Sequence, residues 1–440
     1  MKKTLLLTLA AGLFSVSPLM AQVDLYITGS TAFRASVHDA CALMFSSHTE
    51  YTGTPATGGD TKTGNSAAQW TMTGTPIAGL TALGDNTLTI HGLFTGSVQG
   101  IQTVEQGTKL EFLGADGVSI KTNTPTIAFS DASSASTPYP ATGDFSEEQV
   151  CVQPFVMCKA NSHGGLDSIT NVTWEQLKYA IQAGRIPLSA WTGKPSDLTN
   201  YVYLIERTKD SGTRRTELAQ ELDGYNQSAT VYIYDTTNNF FYKTNTGVAG
   251  PVGSFGTGVS VVGAAGNGGA NLNWGSGYVG GGDIKTELGY TSVTNQAIAY
   301  LSIADAKGVT GINWSQVLPF NGGWPTVAGP NISGNTGTND FSPITSGVYP
   351  CWGYEVLVYP NVDPSSIYAD QNLTAAELGS QTQTGTILGV LDAQTVINGG
   401  SPIPGSIEDE IELSKPTGAT GIRLSDMVSS RSSVGGTITP

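Results

Sequence analysis

Along this chain a short apolar run of strand type repeatedly gives way to a tight polar loop, and then to apolar positions spaced for a helix. Val23–Ile27 is the first such run, Thr28–Ala32 the loop, and Phe33, Val37, Ala40, Cys41, Met44 and Phe45 the helical face. The same order returns at Tyr201–Gly224. An apolar stretch, Tyr201–Ile205, runs into a charged loop ending in Ser211-Gly212-Thr213. A helix follows, with Leu218 and Leu222 four residues apart and Gly224 as its stop. Between these units, Thr87–Phe94 predicts a strand followed by a third polar turn, Thr95–Ile101. Thr126–Phe129 predicts a short buried strand that ends on Ser130-Asp131, and Val150–Lys159 another apolar strand. Thr173–Gln176 opens a helix with Leu177 and Ile181 inward and Gly184 as its stop. Farther on, Leu288–Tyr290 is strand-like, Asn295–Asp305 is predicted helical, Val348–Tyr359 is an alternating strand closed by Pro360, and Thr374–Asn398 holds short helices. Tyr51–Gly84 and Gly247–Gly282, rich in glycine and small polar residues, predict long looped or β-rich insertions. Strands alternating with helices imply an α/β chain with a parallel or mixed sheet covered on both faces.

The polar loops carry the candidate chemistry. The first N–H groups of a helix lack partners inside the helix, and the helix dipole adds partial positive charge there. Gly212 lets a ligand approach the backbone, Ser211 and Thr213 add hydroxyls, and Arg207 stands four residues before Ser211. Together these describe an oxyanion site. Ser30 and Thr31 repeat the arrangement at the first helix. Each turn reads equally well as an ordinary capped helix, with Ser211 as N-cap. Asp131, placed just after a buried strand, points into the crevice at the strand's carboxyl end or caps the turn Ala132–Ser136.

Composition narrows the setting. Met1–Ala21 has the plan of a secretory signal: Lys2 and Lys3, an apolar core at Leu5–Phe14, and small residues before a cut between Ala21 and Gln22. The mature protein is therefore expected in the periplasm or secreted. Its 18 remaining basic residues face 35 acids, a formal charge of −17. That charge argues against a nucleic-acid partner, and it requires an anion site to act through local, desolvated donors. The four cysteines, Cys41, Cys151, Cys158 and Cys351, have no CxxC spacing and admit three full pairings; Cys41, on an apolar helix face, suits a buried thiol as well as a bridge. The four histidines are scattered, so neither a metal site nor a cofactor is expected. No GxSxG and no GxxxxGK[ST] is present, which leaves a secreted phosphatase as the weakest of the readings considered.

Taken together, these pieces resemble the periplasmic phosphate-binding proteins that serve phosphate ABC importers. The match lies in Arg207-Thr208-Lys209-Asp210-Ser211-Gly212-Thr213, in Gly29-Ser30-Thr31-Ala32-Phe33, in Gly96-Ser97-x-x-Gly100-Ile101 and in Ala128-Phe129-Ser130-Asp131, in the family's order along the chain. Ile169–Trp191 and Tyr349–Tyr354 resemble further family segments. The chain departs from the family at Ala32, where a threonine is expected, in its two insertions, and in lacking a Gly-Gly near Val150–Met157. The resemblance implies a two-lobe periplasmic-binding-protein fold (type 2) with a hinge and Gly/Thr-rich insertions. Lobe I would take residues 22–152 and 351–440, lobe II residues 153–350. It implies a monomeric, non-enzymatic receptor that binds inorganic phosphate through Ser30, Thr31, Phe33, Ser97, Asp131, Arg207, Ser211, Gly212 and Thr213 and hands it to an ABC permease. Asp131 would then select phosphate, because a carboxylate only accepts and phosphate keeps a proton to donate where sulfate does not. Arg214 and Arg215 have no counterpart and are expected in solvent. The competing reading keeps the fold for a secreted surface or matrix protein with a weak or vestigial anion site.

Overall fold

The computed structural model describes residues 21–439 apart from 54–62, 142, 161–165, 222–230, 236–239, 244–259, 262–271, 274–276, 279, 290–295, 307–315, 328, 330–339, 363–370, 381, 392–420 and 432–437. The signal segment, apart from Ala21, the stop at Gly224 and most of the second insertion lie outside the described residues.

Eleven strands form one mixed sheet. In chain order they are β1 (Gln22–Gly29), β2 (Phe45–Thr52), β3 (Gln69–Pro76), β4 (Thr87–Leu93), β5 (Ile127–Ser130), β6 (Phe145–Lys159), β7 (Arg185–Pro187), β8 (Tyr201–Leu204), β9 (Ala297–Ser302), β10 (Val317–Leu318) and β11 (Trp352–Pro360). Across the sheet the order is β2-β3-β4-β1-β5-β11-β6-β9-β8-β7, with β10 paired to β6. β1 lies parallel to β4 and β5, and β8 parallel to β9, while the other pairs are antiparallel.

Two separate apolar cores are strung on this sheet. One collects Leu25, Ile27, Phe33, Val37, Cys41, Trp70, Ile90, Phe129, Leu357 and Leu388; the other collects Phe155, Val156, Ile181, Val202, Leu204, Leu218, Tyr300, Phe320 and Trp352. β6 and β11 pass through both. Val150 and Cys151 lie in the first core and Val152 to Cys158 in the second, while β11 gives Trp352 to the second core and Leu357 and Tyr359 to the first. The antiparallel β6–β11 ladder, from Trp352 opposite Pro154 to Pro360 opposite Phe145, thus joins the halves. Its register shifts between Glu355 and Val356, at the passage from one core to the other.

The main helices are α1 (Arg34–Leu43), α2 (Ser97–Glu105), α3 (Trp174–Ala183), α4 (Gly212–Glu221) and α5 (Gly281–Leu288). α3 shows why these segments fold locally. Thr173 and Gln176 close a reciprocal capping box, and Gly184 ends the helix at φ 74°, a conformation glycine adopts without a Cβ clash.

The structure corrects three expectations. Asn295–Asp305 does not form a helix: Ala297–Ser302 is a strand with all six residues buried, flanked by two strands, and the helix is the short turn Ile303–Ala306. A short apolar run buried on both faces carries no period that separates strand from helix. Leu288 ends α5 instead of starting a strand. The first insertion carries strand structure in keeping with the expectation: β3 and the end of β2 extend the sheet at its edge. The turn at Ser97 is itself the start of α2. All four cysteines are buried and none is in a disulfide.

Candidate functional site

The parallel pairing of β1 and β5 brings the first group of predicted residues together. Ile27 stands opposite Ile127 and Gly29 opposite Phe129, so the two strands end side by side. The loop after β1 is tied down by the Ser30 N–H, which donates to Phe129 O at 2.8 Å. Gly29 has φ 123°, and a Cβ there would lie 1.9 Å from Phe129 O, so this approach of loop to strand requires glycine. The Gly96 N–H donates to Gly29 O at 2.9 Å and fixes the start of α2 against the same loop. Ser30, Thr31, Ser97 and Asp131 are therefore neighbours although a hundred residues separate the first from the last.

The second group comes from the other half. The chain leaving β8 carries Arg207, whose backbone is held by Tyr278: the Tyr278 N–H donates to Glu206 O and the Thr208 N–H to Tyr278 O, each at 2.9 Å. Ser211 then opens α4. Its Oγ accepts the Arg214 N–H at 3.3 Å, so the N-cap reading of Ser211 holds. In the turn before α1 the Ser30 Oγ accepts the Phe33 N–H at 3.3 Å.

The two groups meet at Asp131, which is 2% exposed. The Ser97 hydroxyl donates to its Oδ1, and the Thr213 hydroxyl, from the opposite half, donates to its Oδ2 at 2.6 Å. Thr216 donates to the Asp131 backbone carbonyl at 2.7 Å. Gly212 leaves room for this contact: a Cβ there would stand 1.9 Å from Asp131 Oδ1 and 2.7 Å from Ser97 Cβ. Beside this cluster Arg207 donates from Nη2 to Thr31 Oγ1 at 2.9 Å, again across the halves. Val98 completes the bridge, its N–H donating to Asp210 O at 3.0 Å.

Ser97, Asp131, Gly212 and Thr213 thus form one cluster and Thr31 and Arg207 a second beside it, while Ser30 ties the turn before α1 and Ser211 caps α4. Phe33 points its ring into the first core, with its N–H held by Ser30.

Burial dominates the electrostatics. It pushes the Asp131 pKa up, while the hydroxyls of Ser97 and Thr213 and the Arg207 charge pull it back. It also lowers the Arg207 pKa, against the holding effect of Asp305, Asp131 and Asp283. Arg214 contradicts the expectation of a solvent position. It is 6% exposed and donates from Nη1 to the Arg207 carbonyl at 3.0 Å, bracing the loop. Sequence reasoning also missed Thr216, Asp283, Asp305 and Glu355. Glu355 alone left a trace, as an acid in the inward phase of an otherwise apolar strand, in step with Leu357 and Tyr359. Among the described residues no group of three histidine, cysteine or acidic side chains is arranged to hold a metal ion.

Buried hydroxyls at the N-termini of α2 and α4 converge on the Asp131 carboxylate, with the Arg207–Thr31 contact beside it. No protein-family model and no curated protein matches the chain. Solved structures do, at low identity. A phosphate-binding protein from Stenotrophomonas maltophilia is 12% identical with a TM-score of 0.41, over 91% of this chain and 90% of that one. An ABC-type phosphate transport receptor from Vibrio cholerae is 13% identical with a TM-score of 0.36, over 78% and 90%.

Proposed function

We propose that this protein is an exported receptor that captures inorganic phosphate between its two halves for an ABC importer, without catalysing a reaction. The observation that carries this reading is the meeting of Asp131 with Ser97 on one side and with Gly212 and Thr213 on the other, next to the Arg207–Thr31 contact. Groups from four segments, three in the first half and one in the second, are buried together at one spot. Arg207 would pair with two phosphate oxygens, the hydroxyls and the first N–H groups of α4 would donate to others, and Asp131 would accept the proton that phosphate keeps. A ligand held by both halves favours their closed arrangement and links binding to movement about the β6–β11 ladder.

A second reading has its own support. The Ser97 and Thr213 hydroxyls are already engaged with Asp131, and Arg207 with Thr31, so the site is satisfied from within. A surface or matrix protein with a vestigial anion site would look the same. The test is calorimetric titration of phosphate, then sulfate, into mature protein stripped of carried-over anion. Tight binding of phosphate with sulfate silent supports the receptor. Folded protein that gives heat with neither supports the surface protein.

A further inference from the structure

Glu355 stands one residue beyond the Val356–Ser130 pair on β11, as Asp131 stands one residue beyond it on β5, so the two acids adjoin across the strands. It is 0% exposed, and neither of its carboxyl oxygens takes a hydrogen bond among the described residues. The groups facing it come from three elements. These are Asp131 after β5, the Ser30 hydroxyl in the loop after β1, which is near but makes no full hydrogen bond to it, and Cys151, its register partner on β6. Arg207 reaches the pair through its interaction with Asp131. Buried acids without donors stay protonated. Burial first, and the Asp131 charge second, hold the Glu355 carboxyl well above the usual carboxylate range.

We propose that Glu355 is a second carboxyl of the anion site, a specificity-determining residue that keeps its proton and donates it in a hydrogen bond to the bound anion. This rests on the phosphate-binding reading. The two acids then have opposite roles: Asp131 accepts from the anion's own O–H, and Glu355 donates to one of its bare oxygens. A tetrahedral anion carrying a single proton satisfies both. The location suits the role, because the register shift of the β6–β11 ladder falls at Glu355, where the chain passes between the cores. A neutral Glu355 also spares Arg207 another acid in addition to Asp131, Asp283 and Asp305. Once ionised, it would place negative charge against the ligand.

The sign follows from linkage. The bound anion favours the protonated form of Glu355, so affinity falls as pH rises through the ionisation of this group in the free protein. Above about pH 8 a phosphate group is past its second ionisation, so the ligand's charge no longer changes and any further loss comes from the protein. Calorimetric phosphate titrations of mature wild type and Glu355→Gln, from neutral to about pH 10, test this below the ordinary range of lysine. The wild type is expected to weaken toward a limit of about tenfold per pH unit. Glu355→Gln, which carries no ionisable group, is expected to give a flat profile over the same range, whatever its starting affinity. Superimposable profiles would overturn the role of Glu355 and leave the phosphate site standing. Folded wild type that binds no phosphate at any pH would overturn both. If Glu355→Gln does not fold, wild type with 13C-labelled glutamate carboxyls serves instead. A protonated glutamic acid at neutral pH that responds to phosphate supports the proposal, and its absence refutes it.

Discussion

Gly212→Ala separates the contact between the halves from every other source of stability. Gly212 is the first residue of α4 and its φ is not in the left-handed region, so alanine fits the backbone there. On helix propensity alone the change stabilises the protein by up to about 1 kcal/mol. Against this, the new methyl would sit 1.9 Å from Asp131 Oδ1 and 2.7 Å from Ser97 Cβ. Asp131 is an otherwise movable carboxylate, but Ser97 and Thr213 hold both its oxygens, and Ser97 Cβ is fixed by α2. Making room therefore costs either the two charged hydrogen bonds, at roughly 1.5–3 kcal/mol each, or a displacement of α4 from Asp131, at roughly 1–3 kcal/mol for overpacking. The cheaper route still exceeds the helix gain in most of its range, for a net destabilisation of about 1–2 kcal/mol. Urea unfolding followed by circular dichroism reads the sign directly: the midpoint should fall. Phosphate affinity should fall with it, by about 5- to 30-fold for a comparable loss at the closed site. A midpoint at or above that of the wild type would refute the contact, because only the helix term would then have been expressed.

Other expectations follow from the same geometry. Arg207→Ala removes two charge-assisted bonds to the anion and should weaken phosphate binding by at least about 100-fold; unchanged affinity in a folded variant would remove Arg207 from the site. Asp131→Asn replaces a pure acceptor with a group that also donates, so sulfate should begin to compete with phosphate. A phosphate-to-sulfate preference equal to that of the wild type would count against the selective role of Asp131. His38 is buried, which alone lowers its pKa, but its hydrogen bonds to Asp39 at 2.7 Å and Glu50 at 3.0 Å outweigh that and raise it. Its stabilising effect is fully present below the unfolded value of about 6.5 and is lost as pH rises through the folded one. His38→Gln should flatten the pH dependence of the melting temperature in that interval, and an unchanged slope would exclude His38 as its source.

The elements that carried a clear period were legible from residues alone. α1 and α3 with their inward faces, the strand before Arg207 and the long apolar β6 all follow from local patterning, capping and glycine stops, which depend on near neighbours. So does the placement of Ser30, Thr31, Asp131, Arg207, Ser211, Gly212 and Thr213 at strand ends and helix starts, whereas Ser97 entered through the family resemblance alone. β9 shows where patterning stops: Ala297–Ser302 is buried on both faces, and only the neighbouring strands decide that it is extended. β2 and β3 show it again, because their small polar residues gain a strand conformation from the ladder and not from their own preference. Pairing across the halves was equally out of reach. That the Thr213 hydroxyl meets Asp131, that Arg214 turns inward to the Arg207 carbonyl, and that Glu355 adjoins Asp131 all depend on which strands lie side by side in the sheet. Sequence determined the chemistry on offer at each turn. Tertiary structure decided which of those groups share one desolvated place, since burial and distance between remote segments arise only when the β6–β11 ladder has joined the two cores.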